Sequence, residues 1–269
     1  MNFSHLLIKP GSAVDLAKYD PADKTGVPAN KAERVALLAV LSNEIDALQD
    51  RLYAGQQHKV LVVLQGMDTA GKDGTIRHVF SAVDPLGVRA VSFRAPAGEE
   101  LEHEYLWRVH RQTPRTGEIV IFNRSHYEDV LIVRVHHRID AAECKRRLQQ
   151  IHEFEHMLAD NGTRIVKFFL NISRDEQRRR LQERLDNPDK QWKFNPGDLE
   201  ERKYWQDYQA AYADAMRATS TPWAPRYVIP ADSKSTRNLI ISTILRDMLA
   251  ALKMKYPKPA QDFSHLRIE

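Results

Sequence analysis

Apolar residues along this chain follow two alternating patterns, one typical of amphipathic helices and one typical of buried strands. Residues 31–53 carry apolar side chains every three or four positions, which predicts a helix with one buried face. The unbroken apolar run at 60–64 predicts a strand that is buried on both faces. Similar strand patterns, separated by helical segments, occur at 89–93, 118–122, 164–170 and 226–229. This alternation predicts a three-layer α/β/α fold, with a parallel sheet covered by helices on both faces.

The composition divides the chain into three parts. Residues 1–30 contain several Pro and Gly residues without a sustained period, which predicts an irregular arm at the surface. Residues 31–256 are predicted to form one domain, because no repeat, low-complexity tract or linker interrupts the alternation of strand and helix patterns. Residues 257–269 follow as a C-terminal tail. Within the domain we expect a helix around 99–111. Residues 187–197 are expected to form a mobile loop, since an Asn-Pro pair ends the helix before them.

A glycine-rich loop of the phosphate-binding type directly follows the first predicted strand. Gly66, Gly71 and Lys72 match the pattern G-x-x-x-x-G-K, in which backbone N–H groups surround phosphate oxygens and the lysine neutralises their charge. A buried strand precedes the loop and an amphipathic segment follows it, which is the context that this motif requires. The sequence therefore predicts a P-loop phosphotransferase. The predicted phosphate-binding residues are Gly66, Ala70, Gly71, Lys72, Asp73, Gly74 and Thr75.

The position after the loop lysine departs from the usual pattern, because Asp73 stands where a Ser or Thr commonly binds Mg²⁺. Asp68 lies inside the loop and offers a hard oxygen ligand that suits Mg²⁺. We therefore expect Mg²⁺ as the cofactor and Asp68 as one of its ligands. The alternative role for Asp68 is a hydrogen bond that stabilises the loop.

A second polar segment follows a predicted central strand, at the edge of the sheet where ligands bind in open α/β folds. Its first polar residue is Asn123, where P-loop enzymes commonly carry an acid. Glu128 and Asp129 are the nearest carboxylates, and we expect Asp129 to be a second metal ligand. Arg124 and Arg134 are candidates to stabilise the charge on a transferring phosphoryl group.

Three segments of the chain resemble motifs of the polyphosphate kinase type 2 family. They lie in the family's order at 66–75, 122–130 and 187–194, and the resemblance covers roughly residues 30–255. It implies a P-loop kinase-like fold akin to thymidylate kinase, with a helical lid at about residues 174–197. It also implies Mg²⁺-dependent transfer of a terminal phosphoryl group between inorganic polyphosphate and a nucleotide, without a covalent enzyme intermediate.

The resemblance also implies roles for individual residues. The loop aspartate, the loop lysine and the second-motif arginine of the family correspond to Asp68, Lys72 and Arg124. Asn123 replaces an aspartate of many members, and with the residues after it resembles the subgroup that phosphorylates both AMP and ADP. The nucleotide side corresponds to Phe93, Arg94, Pro96, Asn123, Tyr127 and Glu128, and the polyphosphate side to Arg178, Arg184, Lys190 and Lys193. Burial at the end of a strand would explain Phe93 equally well. Guanine nucleotides remain possible substrates beside adenine nucleotides.

The charge balance is mildly basic, with 40 basic and 36 acidic residues and a net charge of +4. Basic residues cluster at 108–115, 145–147 and 178–180, which suits a polyanionic partner as well as it suits solvated helix faces. Two alternatives therefore stay open. One is an ATP-dependent nucleotide or small-molecule kinase on the same fold. The other is a non-catalytic nucleic-acid-binding module, against which the phosphate loop argues, so nucleic acid is not an expected partner.

Cysteine usage and hydropathy favour a cytoplasmic protein. Cys144 is the single cysteine and cannot form an internal disulfide, and the first thirty residues lack the apolar stretch of a signal peptide. No apolar run approaches the ~18 residues of a membrane span, so no membrane association is expected. A homo-oligomer is expected, although the sequence does not give its size.

Overall fold

A five-stranded sheet lies at the centre of the computed structural model, which describes residues 1–262 and 266–268. The strands are β1 (Lys59–Gln65), β2 (Val88–Ser92), β3 (Ile119–Asn123), β4 (Thr163–Asn171) and β5 (Arg226–Pro230). They lie in the order β2-β3-β1-β4-β5, and every neighbouring pair runs parallel. The predicted α/β class with a parallel sheet is confirmed.

Helices connect the strands and cover both faces of the sheet. They are α1 (Lys31–Gly55), α2 (Lys72–Val79), α3 (Trp107–His110), α4 (Ile132–Val135), α5 (Ala141–Asp160), α6 (Arg174–Asp186), α7 (Pro188–Gln191), α8 (Gly197–Glu201), α9 (Trp205–Thr219) and α10 (Lys234–Ala251). Helices α1 and α2 pack on α10, whereas α5 packs on α9, and both α10 and α5 contact β4. Because β1 and β4 are buried on both faces along almost their whole length, these two helix groups form the outer layers.

Capping side chains explain where the helices around the lid region begin. Ser173 accepts a hydrogen bond from the N–H of Glu176 at the start of α6. Asn187 is extended, so it ends α6, and its side chain accepts from the N–H of Asp189 to start α7. Residues 187–197, expected to be a loop, therefore contain a short helix.

Residues 1–30 follow an irregular path along the edge strand β5. The N–H of Ile8 donates to the carbonyl of Arg226 at 2.9 Å, and Leu7 forms an isolated antiparallel bridge with Tyr227. Buried apolar side chains, among them Phe3, attach this segment to the core.

The segment between β2 and β3 differs from the sequence expectation of one helix around 99–111. It forms a 3-10 turn at Gly98–Leu101 and, after a break, the single turn of α3. Leu101 is 68% exposed and gives a longer helix no apolar anchor. The carboxylate of Glu104 accepts from the N–H of Leu106 at 2.7 Å, which favours a new turn there.

The described part of the chain, residues 1–262 and 266–268, contains no helix long and apolar enough to cross a membrane. Within the predicted C-terminal tail, residues 263–265 and 269 lie outside the described residues.

Candidate active site

A cavity of about 980 Å³ opens at the carboxyl ends of the central strands. The phosphate loop after β1, the segment after β3 and the lid region from α6 to α8 all line it. The structure therefore brings the three sequence motifs together. The predicted site residues that line this cavity are Asp68, Gly71, Lys72, Asp73, Gly74, Phe93, Arg94, Asn123, Arg124, Arg184, Lys190 and Lys193.

Two glycines let the phosphate loop turn back tightly on itself. Gly66 has φ +145°, and a Cβ there would lie 2.8 Å from the carbonyl oxygen of Leu170. Gly71 has φ +104° and ends the loop at the start of α2, where a Cβ would lie 1.9 Å from a guanidinium nitrogen of Arg237. Both positions combine a left-handed backbone with no room for a side chain, so the loop requires glycine there.

The loop lysine lies against its own backbone. Lys72 donates from Nζ to the carbonyl of Gly66 at 2.7 Å and to that of Met67 at 3.3 Å. Burial lowers the pKa of Lys72, while the charge of Asp68 opposes this effect. A phosphate oxygen is a stronger acceptor than a carbonyl, so a bound phosphate can take Lys72 from these contacts.

The second motif contacts the phosphate loop through two side-chain pairs. Arg124 donates to Asp68 at 3.0 Å, and the amide nitrogen of Asn123 donates to Asp73 at 2.6 Å. Arg124 itself has φ +62°, a conformation uncommon outside glycine. The arginine and the loop aspartate therefore form one charged unit at the cavity wall.

A smaller cavity of about 210 Å³ adjoins the loop and is rich in carboxylates. Asp68, Glu128, Asp198 and Glu201 line it, together with Arg124. Burial and, after it, the charge of Asp68 raise the pKa of Asp198 to about 6. Burial likewise raises the pKa of Glu128, although Arg124 opposes the rise. Negative charge therefore accumulates beside Asp68, and a cation would relieve it.

The carboxylates around Asp68 could hold a magnesium ion only with help from a ligand. Within residues 1–262 and 266–268, no group of three or more His, Cys, Asp or Glu side chains is arranged to bind a metal ion by itself. Mg²⁺ usually binds one or two carboxylates and completes its octahedron with phosphate oxygens and water. Asp68, with Asp198 or Glu128 beside it, fits that requirement.

Three predicted residues in or just after the second motif lie away from both cavities. Asp129 is buried and pairs with Arg108 at 3.4 Å. Arg134 pairs with Asp214 of α9 at 2.8 Å. Tyr127 is fully buried beneath the motif, where its hydroxyl hydrogen-bonds to side chains of α5 and α9. These contacts favour structural roles for Asp129, Arg134 and Tyr127.

The predicted lid residues divide between the cavity and the outer surface. Arg184 pairs with Asp198 at 3.4 Å, Lys190 pairs with Glu183, and Nζ of Lys193 lies 4.8 Å from the ring centre of Trp192. All of these line the large cavity. In contrast, Arg178 is exposed on α6.

On the predicted nucleotide side, the residues after β2 differ in exposure. Phe93 is 6% exposed and packs edge-on against Phe122, with ring centres 4.9 Å apart. Arg94 is exposed at the cavity wall, and Pro96 is exposed in the loop that follows. Phe93 is thus mainly a buried strand end that presents one edge to the cavity.

Sequence reasoning missed several residues that contact the loop. Gln177 and Arg180 of α6 and Arg237 of α10 are buried and donate to backbone carbonyls of the loop. Sequence reasoning also missed Asp198, which lines both cavities. Polar residues three or four positions apart lie on the same face of α6. This spacing is the one signal in the sequence that could have indicated a buried polar face there.

Comparisons with known proteins agree with this geometry. Residues 29–258 match the family model described as Polyphosphate kinase 2. The chain is 54% identical over 262 residues to the AMP/ADP-polyphosphate phosphotransferase of Meiothermus ruber, covering 97% of this chain and 98% of that one. It is 44% identical over 260 residues to the ADP-polyphosphate phosphotransferase of Rhodopseudomonas palustris, covering 92% and 90%. The crystal structure of polyphosphate kinase 2 from Arthrobacter aurescens TC1 matches with a TM-score of 0.93 at 44% identity, covering 97% and 93%.

Proposed function

The chain belongs to the polyphosphate kinase 2 family and is a polyphosphate–nucleotide phosphotransferase, and we propose that its nucleotides are AMP and ADP and its cofactor is Mg²⁺. One observation carries the proposal: Lys72 shares its cavity with the basic residues Arg184, Lys190 and Lys193 of the lid region. Cations spaced along a helix and the segment after it suit a polyanion that is longer than a triphosphate.

In the transfer step, an oxygen of the nucleotide's terminal phosphate forms a bond to the terminal phosphorus of polyphosphate. The P–O bond to the rest of the chain breaks, and its electron pair leaves with the shortened polyphosphate. Lys72 and the N–H groups of the loop bind the transferring group, and Arg124 neutralises the charge that develops on it. Catalysis thus rests on positioning and charge neutralisation, with no covalent enzyme intermediate.

Asp68 is the proposed Mg²⁺ ligand, with Asp198 and Glu128 beside it. The ion supplies charge neutralisation on the phosphate oxygens. Asn123 donates to Asp73 at 2.6 Å, so the second motif orients the residue that stands in place of the usual hydroxyl ligand.

We place the nucleotide beside Arg94 and Asn123, which line the large cavity, with Glu128 in the adjoining small cavity. Glu128 lines the small cavity together with Arg124, where its carboxyl can distinguish a monophosphate from a diphosphate acceptor. AMP and ADP, which differ by one phosphate, would then both reach the transferring group from one site.

A direct test uses purified protein with polyphosphate, Mg²⁺ and AMP, ADP or GDP, without any nucleoside triphosphate. Separation of the nucleotides should show ADP and ATP formed from AMP, and ATP formed from ADP. Product only when ATP replaces polyphosphate as donor would favour the ATP-dependent kinase. Salt-sensitive DNA or RNA binding without any transfer would favour the nucleic-acid-binding module.

The cytoplasmic location and the homo-oligomer expected from the sequence stay predictions. Cell fractionation and light scattering on the purified protein would test them.

A further inference from the structure

The backbone carbonyls of residues 66–70 in the phosphate loop each accept a hydrogen bond from a side chain. Those of Gly66 and Met67 accept from Lys72, and that of Asp68 accepts from Nε2 of Gln177 at 3.1 Å. A loop that binds phosphate through its N–H groups must turn its carbonyls to the other side. Buried carbonyls need donors there, because an unsatisfied polar group inside a protein is destabilising.

Two buried arginines supply the donors behind the next two residues of the loop. Arg180 donates to the carbonyls of Thr69 at 3.0 Å and Ala70 at 3.2 Å. Arg237 donates to the carbonyl of Ala70 at 2.9 Å and lies so close to Gly71 that no Cβ fits between them. The carbonyl face of the loop therefore rests on two planar guanidinium groups.

Arg237 carries a charge that no acid neutralises within residues 1–262 and 266–268. Its remaining hydrogen bonds go to the neutral amide oxygen of Asn238, at 2.9 and 3.0 Å. Burial, and after it the charge of Arg180, lowers the pKa of Arg237 to about 9. A buried cation without a counter-ion is unfavourable by itself and favours an anion on the other side of the loop.

The donors on α6 also connect the loop to the start of the lid region. Gln177 and Arg180 lie one turn apart, and Arg180 bridges from the loop to the carbonyls of Ala231 at 2.7 Å and Asp232 at 2.9 Å. Gln177 also accepts from Arg202, beyond the lid, at 2.7 Å. The first two turns of α6 are thus fixed to the loop.

We propose that Gln177, Arg180 and Arg237 are positioning residues, which hold the carbonyls of the phosphate loop outward so that its N–H groups face the transferring phosphate. The inference rests on the proposed function, because it assigns how that site is kept in shape. Arg180 and Arg237 also line the large cavity, whereas Gln177 lines neither cavity, so Gln177 separates a positioning role from direct contact with the substrate. Their loss should therefore reduce phosphate binding and turnover beyond any loss of stability.

The test compares Arg237→Met, Arg237→Lys and Gln177→Leu with a matched control, Arg34→Met. Arg34 is also buried and donates to the carbonyls of Pro28 at 2.6 Å and Ala29 at 2.7 Å and to the hydroxyl of Ser235 at 3.0 Å, but to no carbonyl of the phosphate loop. Tripolyphosphate affinity is measured by calorimetry, kcat and KM with polyphosphate and ADP by steady-state kinetics, and Tm by thermal unfolding. All values are taken per folded molecule.

We expect Arg237→Met and Gln177→Leu to lose about tenfold or more in both tripolyphosphate affinity and kcat, because the loss of one fixed hydrogen-bond donor at an active site has an effect of at least that size. Arg237→Lys should recover part of the loss, because an ammonium can still donate to Ala70. Arg34→Met should lower Tm while affinity and kcat stay within twofold of the wild type. Rescue by lysine would not follow from a merely structural role.

Values within twofold of the wild type for both Arg237→Met and Gln177→Leu would overturn the inference, whatever their Tm. If Arg237→Met does not fold, Gln177→Leu alone decides by the same criterion. Wild-type protein that binds tripolyphosphate but transfers nothing from polyphosphate would refute the proposed function instead. The calorimetry of the variants would still test the positioning role.

Discussion

The buried ion pair between Glu155 of α5 and Lys167 of β4 supports the segment that carries the second motif. Glu155 is 1% exposed, accepts from the hydroxyl of Tyr127 at 2.7 Å, and lies 3.2 Å from Nε2 of His126. Lys167 donates to Glu155 and to the carbonyl of Thr219. Since His126 and Tyr127 follow Arg124 closely, we predict that Glu155→Gln destabilises the fold and loosens this motif.

The magnitude follows from the charge that the substitution leaves behind. Burial would raise the pKa of Glu155, but the charge of Lys167 and the hydrogen bond from His126 outweigh it and hold the pKa at about 2. The difference from the ordinary value of 4.5 corresponds to about 3 kcal/mol. Breaking a buried pair by removing one partner typically costs about 3–5 kcal/mol, because the other charge stays buried. Burial already lowers the pKa of Lys167 to about 8, so loss of its proton limits the cost.

Urea unfolding at pH 7 would measure the free energy of unfolding for Glu155→Gln, Lys167→Met and the double variant. Each single variant should lose about 3 kcal/mol, and the double variant should lose less than their sum because neither Glu155 nor Lys167 is then left buried without the other. The control is Glu200→Gln, which removes an exposed partner of Lys203 and should cost under about 1 kcal/mol. A loss for Glu155→Gln as small as that of the control would refute the reasoning.

The same pair predicts a pH dependence. The folded pKa of Glu155 lies below its unfolded value, so its stabilisation is present above pH 4.5 and is lost as the pH falls toward about 2. Glu155→Gln should lack this part of the acid-induced loss.

Four further predictions concern the site itself. Lys72→Ala should lower kcat by about 10²-fold or more while Tm stays close to that of the wild type, and near-normal turnover at saturating Mg²⁺ would contradict the role of the loop. Glu128→Asn should reduce kcat/KM for AMP more than for ADP in parallel assays, and equal losses would indicate a general role. Replacing Lys190 and Lys193 together by Ala should raise KM for long polyphosphate with little change in the nucleotide KM, whereas an unchanged KM at every chain length would leave them only a surface role. Asp198→Asn should raise stability by at most about 3 kcal/mol, and more at pH 8 than at pH 5, because the folded pKa of about 6 lies above the ordinary 3.8 and charging the carboxyl costs stability as the pH rises. Calorimetric Tm values would show the same change at both pH values if Asp198 were well solvated.

Local signals in the sequence sufficed for the sheet and for the three motifs that meet at the cavity. The apolar run at 60–64 and the loop after it correspond to β1 and the turn into α2, because a strand buried on both faces and a phosphate loop each have a strong local pattern. Cap residues such as Ser173 marked helix starts for the same reason. The helix expected at 99–111 failed because helical spacing does not reveal whether an apolar face finds a core, and Leu101 finds none.

The arginine-rich start of α6 shows why the site could not be completed from the sequence. Residues 178–180 form one basic cluster in the sequence, but successive helical residues point about 100° apart. Arg178 is therefore exposed to solvent, whereas Arg180 is 5% exposed beneath the phosphate loop. Only tertiary packing decides which of the two meets backbone carbonyls, so a count of basic residues overstates the surface available to a polyanion. Arg237 is the sharper case, because its charge lies behind the loop and can attract phosphate without forming part of any exposed basic face.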